Sequence, residues 1–162
     1  MKKFLIIQTA FIGDVVLATS LIEAIRKHFP GARIDFLLRK GNENLLLHHP
    51  HLENVYVLEK KSRKYAHVFQ MIRMVRKTRY DYFFNLQRFF TTGLIAFFAR
   101  SRWKAGFDKN PLSWAYHYKV RHTIGNGKHE IERNMELLAP LTEMQFVRPR
   151  LYPTEKQYDH VR

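Results

Sequence analysis

Short apolar runs alternate along this 162-residue chain with longer segments in which apolar residues recur every three or four positions. The short runs are typical of buried strands, and the three-to-four spacing is typical of one face of a helix. The predicted strands cover residues 3–8, 33–38, 54–58, 82–86 and 103–107, and residues 115–120 form a candidate sixth strand. Strands that alternate with helices indicate βαβ units, so we expect an α/β fold with a parallel sheet covered on both faces.

Helices are predicted between and after these strands. The first helix has an apolar face and ends at Pro30-Gly31; that face consists of Val15, Ala18, Ile22, Ile25 and Phe29. The predicted apolar face of the helix in residues 61–79 consists of Tyr65, Val68, Phe69, Ile72 and Val75. Residues 91–100 predict a largely buried helix, residues 42–48 a short one, and residues 130–139 a final one.

Parallel strands direct the search for a functional site to one edge of the sheet. Ligands of such sheets bind outside the carboxyl ends of the strands, where loops enter the following helices. The segments predicted at that edge are residues 8–14, 59–61, 86–88 and 107–109. We therefore expect any site to be built from these segments.

The first of these loops contains a glycine followed by an acid, Gly13-Asp14. Gly13 removes a side chain where a ligand would approach, and Asp14 would place a carboxylate that accepts a proton from a hydroxyl. The alternative interpretation is structural: Asp14 caps the helix or complements its positive end. The loop lacks the G-x-G-x-x-G pattern, which argues against an ordinary dinucleotide site.

Composition excludes some chemistry. The chain has no cysteine, so disulfides and thiolate zinc sites are excluded. His48, His49 and His51 are interrupted by Pro50 and form no i, i+4 pair, so we expect no metal site there. The longest uncharged stretch, residues 89–99, is shorter than the roughly 20 residues that a membrane-spanning helix needs.

The formal net charge of +14 favours anionic partners. Residues 60–79 contain eight Lys or Arg and no acid, which indicates contact with acidic lipid headgroups or with the phosphates of a lipid-linked acceptor. A solvated surface that keeps the protein soluble is the alternative. Nucleic acid is disfavoured because the sequence has no recognition-helix or RNP-type signature. Arg88 would clamp a phosphate or carboxylate, and Gln87 would bind a sugar hydroxyl.

Several short motifs, taken in order, resemble glycosyltransferase family nine, the lipopolysaccharide heptosyltransferases. Near the amino terminus they are Phe4-Leu5-Ile6-Ile7-Gln8-Thr9, Gly13-Asp14, Thr19 and Arg26-Lys27-His28-Phe29-Pro30-Gly31-Ala32. Further along they are Asn85-Leu86-Gln87-Arg88, Ala105-Gly106-Phe107, His129, Glu132, Arg133 and Asn134. The resemblance spans almost the whole chain.

This resemblance implies a GT-B architecture, in which two Rossmann-like domains face each other across a cleft. It implies inverting transfer of heptose or a similar sugar from a nucleotide-diphosphate sugar to a lipopolysaccharide-type saccharide, with no metal and no cofactor. Asp14 matches the family's proposed general base. The residues expected to bind the acceptor are Thr9, Gly13, Lys60, Lys61, Gln87, Arg88 and His129. In the family, small hydroxyl residues often follow the threonine that matches Thr9. Ala10 and Phe11 occupy these positions here, so the identities of the acceptor and of the transferred sugar stay open.

The resemblance also divides the chain. Residues 1–150 are expected to form the acceptor-side domain, and residues 151–162 to begin a linker to a C-terminal donor domain that the chain lacks, so the chain alone is expected to be inactive. We expect a cytoplasmic location, with peripheral attachment to the inner membrane as an option. The competing hypothesis is a non-catalytic basic module that docks on acidic membrane or nucleic acid, with a flat face around Asp14.

Overall fold

The computed structural model describes residues 1–122, 127, 129–143 and 145–161, apart from the side chains of residues 158, 160 and 161. The strands are β1 (Lys3–Ile7), β2 (Arg33–Arg39), β3 (Asn54–Leu58), β4 (Tyr80–Asn85), β5 (Ser101–Phe107) and β6 (Tyr118–Val120). The α-helices are α1 (Ile12–His28), α2 (Lys64–Val75), α3 (Phe90–Phe98), α4 (Glu130–Glu136) and α5 (Glu155–Val161). Short 3-10 helices cover Glu43–Leu45 and Ser113–Ala115.

The six strands form one sheet in the order β3-β2-β1-β4-β5-β6, and every neighbouring pair is parallel. From β1 the sheet extends through β2 to β3. The chain then crosses back, and β4 pairs with the free edge of β1. This reversal is the doubly wound, Rossmann-like topology, and it opens a crevice at the carboxyl ends of β1 and β4. The predicted α/β class with a parallel sheet is confirmed.

Both faces of the sheet are covered, because alternate residues of each strand point to opposite faces. Phe4 and Ile6 of β1 pack into a core that contains α1 and α4. Leu5 and Ile7, the intervening residues, pack into a second core that contains α2 and α3. All four side chains are fully buried. Continuous apolar strands are the pattern expected of a parallel sheet that is covered twice.

One predicted helical face is wrong in part. Tyr65 and Phe69 were expected in the core, but their exposed fractions are 54% and 56%. The buried face of α2 consists of Val68, Met71, Ile72 and Val75. The helix is apolar on more than one side, so spacing alone identified apolar positions but not the side that meets the sheet. The helix is also shorter than predicted, since it begins at Lys64 and ends at Val75.

Smaller corrections concern element lengths. Residues 42–48 contain a single 3-10 turn, Glu43–Leu45, and the candidate sixth strand is limited to Tyr118–Val120. The final helix of the domain ends at Glu136 rather than at residue 139. The third α-helix is buried along one side only, because Phe97 and Phe98 near its end are exposed. Within the described residues, no helix combines the length and apolar character needed to span a membrane.

The segment after α4 returns to α1 and packs on it. The backbone N–H of Arg150 donates to Thr19 Oγ1 at 3.0 Å, and the Tyr152 hydroxyl donates to Glu23 Oε1 at 2.8 Å. His49 lies edge-on to the Tyr152 ring, with the ring centroids 4.6 Å apart. The residues around 150 therefore form part of the domain surface, and α5 follows them.

His49 is held neutral inside this contact. Burial, followed by the charge of neighbouring His51, lowers the pKa of His49 to about 4. Glu23 Oε1 lies 3.5 Å from His49 Nε2, but that carboxylate already accepts the hydrogen bond from Tyr152, and desolvation outweighs the attraction. Above pH 6.5 the imidazole is neutral in both the folded and the unfolded chain.

Gly106 provides a test of the packing. A Cβ built on Gly106 would lie 2.3 Å from a ring carbon of Tyr116. The Tyr116 ring is buried, and its hydroxyl accepts a hydrogen bond from the Asn85 side chain. We expect Gly106→Ala to lower the free energy of unfolding by about 1–3 kcal/mol, because the ring must move, as measured by urea denaturation. Gly31→Ala is the control, since its Cβ would meet nothing within 4 Å. Equal stabilities of the two variants would contradict the packing.

The His49 contact predicts a pH dependence of stability. Because the pKa of His49 is lowered from 6.5 to about 4, the unfolded chain binds a proton between these pH values that the folded chain does not. The contribution of neutral His49 to the free energy of unfolding is full above about pH 6.5 and is lost as the pH falls towards 4. The total loss is about 2–3 kcal/mol. His49→Asn, which keeps an acceptor near Nδ1, should flatten this part of the urea-denaturation profile. The exposed His48 gives the control His48→Asn, and an unchanged slope in His49→Asn would contradict the assignment.

Candidate functional site

An open cleft of about 350 Å³ lies at the carboxyl edge of the sheet, where the strand order reverses between β1 and β4. Three parts of the chain line it: the loop after β1 with the start of α1, the loop after β4, and the region from the end of β5 to α4. The lining residues are Gln8, Ala10, Phe11, Asp14, Leu86, Gln87, Arg88, Phe89, Phe107, His122, Glu130 and Arg133. The cleft therefore combines parts of residues 8–14, 86–88 and 107–109, which are three of the four segments that the sequence placed at this edge.

Two glutamines join the loops on either side of the crevice. The side-chain amide of Gln87 donates to Gln8 Oε1, and the backbone N–H of Ala10 donates to the same oxygen at 3.2 Å. Both glutamines are buried, so the bonds are shielded from water and hold the loops in a fixed relation. Gln87 lines the cleft as predicted, but its amide nitrogen already contacts Gln8.

Asn110 fixes the loop after β4 from the other side. Its side-chain amide donates to the backbone oxygens of Gln87 and Phe89, each at 3.0 Å. This approach needs Gly93, because a Cβ there would lie 2.4 Å from Asn110 Oδ1. The loop that carries Arg88 is thus set by buried hydrogen bonds rather than by solvent-exposed contacts.

Asp14 is the third residue of α1 and lines the cleft, half-buried. The helix has Phe11 as its N-cap and no side-chain capping hydrogen bond. Within the described part of the chain, no residue forms a hydrogen bond or ion pair with the Asp14 carboxylate. The capping alternative therefore lacks its hydrogen bond, although the first helical turn still favours a negative charge. The carboxylate is available to a ligand.

Gly13 borders open space. A Cβ at this position would meet nothing within 4 Å, and the residue does not have positive φ. Neither packing nor backbone conformation requires glycine here. The observation is compatible with the predicted close approach of a ligand beside Asp14.

Positive charge surrounds the crevice. Arg88 is exposed at the rim, with its guanidinium 5.6 Å from the centre of the Phe89 ring. On the opposite side, Arg39 lies over the Phe11 ring at 4.9 Å. Arg133 forms an ion pair with Glu130 in the first turn of α4. Cations on several sides of a concave site attract an anionic ligand.

Lys60 approaches this region from the end of β3. Its ammonium group donates to the backbone oxygen of Thr9 at 3.2 Å and lies 5.6 Å from the centre of the Phe89 ring. Burial, then the charges of Arg39 and Lys64, lower the pKa of Lys60. Thr9 itself is fully buried beneath it. Lys61 is exposed and does not line the cleft.

His129 caps α4. Its Nδ1 accepts a hydrogen bond from the Ile131 backbone N–H at 3.2 Å, and the residue does not line the cleft. His122, which the sequence did not single out, does line it. Burial is the largest cause of the lowered pKa of His122, which Glu130 opposes and Lys109 reinforces. The sequence signal was weak because residues 108–128 have no clear periodicity, so α4 was not placed at this edge.

The three clustered histidines of the sequence lie away from the cleft. His49 and His51 surround Glu23 and Tyr152 on the α1 face, whereas His48 is exposed. Across the described residues, no group of three or more His, Cys, Asp or Glu side chains has an arrangement that would hold a metal ion.

The family model of "Glycosyltransferase family 9 (heptosyltransferase)" matches residues 68–159. The chain is 28% identical over 137 residues to "Lipopolysaccharide heptosyltransferase 3" of Escherichia coli, covering 81% of this chain and 40% of that protein. It thus spans less than half the length of that relative.

Solved structures share the fold. A glycosyltransferase family 9 protein from Veillonella parvula DSM 2008 matches with a TM-score of 0.86 at 18% identity, covering 98% of this chain and 47% of that one. The E. coli heptosyltransferase WaaC with ADP-2-deoxy-2-fluoro heptose matches with a TM-score of 0.73 at 18% identity, covering 91% and 50%. Since the family model covers more than half of the chain, the resemblance is confirmed, and this protein belongs to glycosyltransferase family 9, the heptosyltransferase family.

Proposed function

We propose that this chain forms the acceptor-binding part of an inverting glycosyltransferase. The reaction would move heptose or a similar sugar from a nucleotide-diphosphate sugar to a lipopolysaccharide-type saccharide. Family membership supports the transferase class, and the lipopolysaccharide heptosyltransferase among the relatives supports the sugar and acceptor class. The observation that carries the proposal is the Asp14 carboxylate in a cleft between the carboxyl ends of β1 and β4, where none of the described residues pairs with it.

In this mechanism Asp14 is the general base. Its carboxylate accepts the proton of an acceptor hydroxyl as the hydroxyl oxygen attacks the anomeric carbon of the donor. The bond from that carbon to the nucleotide diphosphate breaks, and the diphosphate leaves with the electron pair. Attack from the side opposite the leaving group inverts the configuration.

The acceptor would be held by the groups around Asp14. Arg88 at the rim and Lys60 beside Thr9 supply positive charge for acceptor phosphates or acidic sugars. Gln87 lies at the floor, where its position is fixed by Gln8 and Asn110. Five predicted acceptor contacts are not among the residues that line the cleft: Thr9, Gly13, Lys60, Lys61 and His129. Lys60 lines the neighbouring groove together with Phe89.

The donor would be positioned by the remainder of a longer polypeptide. The chain spans 40% of the E. coli relative, and a base without a positioned donor lacks most of the rate enhancement that proximity provides. We therefore expect the 162 residues alone to be inactive, with residues 151–162 leading towards the donor domain. Within that segment, residue 162 lies outside the described residues. A cytoplasmic reaction site remains part of this proposal.

The competing hypothesis of a non-catalytic basic module is less well supported. It predicted a flat basic face around Asp14, whereas Asp14 lies in a cleft together with Gln87 and Arg88. Membership of a transferase family also disfavours it.

The general-base role predicts the effect of Asp14→Asn. The change keeps the shape of the side chain but removes the proton acceptor, so we expect kcat to fall by about 10²–10⁴-fold with little change in stability. Transfer would be measured from ADP-heptose to a lipopolysaccharide core saccharide, with the chain joined to the donor domain of a family 9 enzyme.

Glu53→Gln provides the matched control, because Glu53 is an exposed acid directly before β3, at the opposite edge of the sheet. It should retain the wild-type rate. Circular dichroism would confirm that each variant folds. A kcat for Asp14→Asn within about threefold of wild type would remove Asp14 from the mechanism, given the size of general-base effects.

A further inference from the structure

The helices α2 and α3 carry an exposed aromatic surface that the cleft does not use. Its members are large rings open to solvent, five of them on α2 and α3 and one on a neighbouring 3-10 helix; they are Tyr65, Phe69, Phe90, Phe97, Phe98 and Trp114. Trp114 is 66% exposed and belongs to the 3-10 helix between β5 and β6. An exposed cluster of apolar side chains on a soluble domain marks an interaction site.

Contacts join the exposed residues of the two helices at both ends. At their amino ends, Lys64, Tyr65 and Phe90 line a single groove. At their carboxyl ends, the guanidinium of Arg76 donates to the backbone oxygen of Phe98 at 2.6 Å. The Phe97 ring lies 5.0 Å from that of Phe98 and 5.6 Å from that of Trp114. The exposed rings therefore cluster at both ends of two helices that pack against each other.

On α2 the exposed side has its own regular pattern. Tyr65, Phe69 and Arg73 follow one another at intervals of four residues within α2, Lys77 comes two residues after the helix ends, and all four are exposed. Side chains four apart lie on the same side of a helix. This stripe begins with two aromatic rings and continues with Arg73, and it flanks the buried side of the helix, which contains Val68 and Ile72. The rings are exposed although the helix already has a complete core-facing side.

Acidic side chains are missing from the sequence that builds this surface. Residues 60–80 and residues 82–107 contain no Asp or Glu, and Asp81 alone separates the two segments. Lys64, Arg73, Arg76 and Lys77 are exposed among the rings. Aromatic rings and long cationic side chains without acids are the composition that settles at the headgroup level of a bilayer. The cations there are attracted by anionic lipid.

We infer that the outer face of α2 and α3 docks this protein on a bilayer rich in anionic lipid. The rings of Phe69, Phe97 and Trp114 enter the headgroup region, and Arg73 and Lys77 contact lipid phosphates. The docking needs no transfer activity and is separable from the proposed function. If that function holds, Phe89 places the crevice beside the bilayer, because it lines both the cleft with Asp14 and the groove with Tyr65.

Vesicle sedimentation of the 162-residue chain tests the inference. One vesicle preparation contains phosphatidylcholine alone, and the other contains equal amounts of phosphatidylcholine and phosphatidylglycerol. We expect binding to the anionic vesicles that weakens with added salt. Arg73→Gln combined with Lys77→Gln should weaken it by about fivefold for each cation removed. Phe69→Ala combined with Trp114→Ala should weaken it by about tenfold.

Phe146→Ala combined with Arg148→Gln is the matched control. Phe146 is 62% exposed but packs beside Met135 of α4, on the other face of the sheet, so this variant should bind as wild type does. Circular dichroism would verify the fold of each variant, and sedimentation velocity would give the oligomeric state. Equal binding to both vesicle types would overturn the inference, as would wild-type binding by the aromatic variant or a control as weak as that variant. Loss of a dimer in the aromatic variant with vesicle binding unchanged would instead assign the surface to a second copy of the chain.

Discussion

The reversal of strand order between β1 and β4 is the constraint on which the site depends. Because β2 and β4 lie on opposite sides of β1, the loops after β1 and β4 separate at the carboxyl edge and leave a crevice between them. Gln8 and Gln87 bridge its floor, and Asn110 fixes the loop that carries Arg88. A buried framework of hydrogen bonds thus sets the distance between the acid on one side and the cations on the other.

The two faces of the sheet have different surfaces. On one face, the segment around Arg150 and Tyr152 packs on α1 and donates hydrogen bonds to Thr19 and Glu23. On the other face, α2 and α3 bury one side of each helix and leave rings and cations on the other. The crevice opens between these faces, at the ends where both α1 and α3 begin. The proposed catalytic cleft and the proposed docking surface are therefore adjacent, and Phe89 lies where they meet.

Much of this arrangement follows from the sequence, because apolar runs and their spacing identify parallel strands and thereby the functional edge. The grouping of Asp14, Gln87 and Arg88 required only that topology. The placement of Tyr65 and Phe69 failed, since periodicity finds apolar positions but cannot say which side of a doubly apolar helix meets the sheet. Glu130 and His122 were missed because the segment before α4 has no regular pattern, and their position depends on long-range packing.

The proposed mechanism requires Asp14 to receive the proton of the acceptor hydroxyl. A crystal structure of the chain with a lipopolysaccharide core saccharide would test this most directly, through the distance between the Asp14 carboxylate and the nearest acceptor hydroxyl. We expect that distance to be about 2.6–3.2 Å, within reach for proton transfer, with the saccharide between Asp14 and Arg88. A saccharide bound away from the crevice, with no hydroxyl near Asp14 directly or through one water, would contradict the claim.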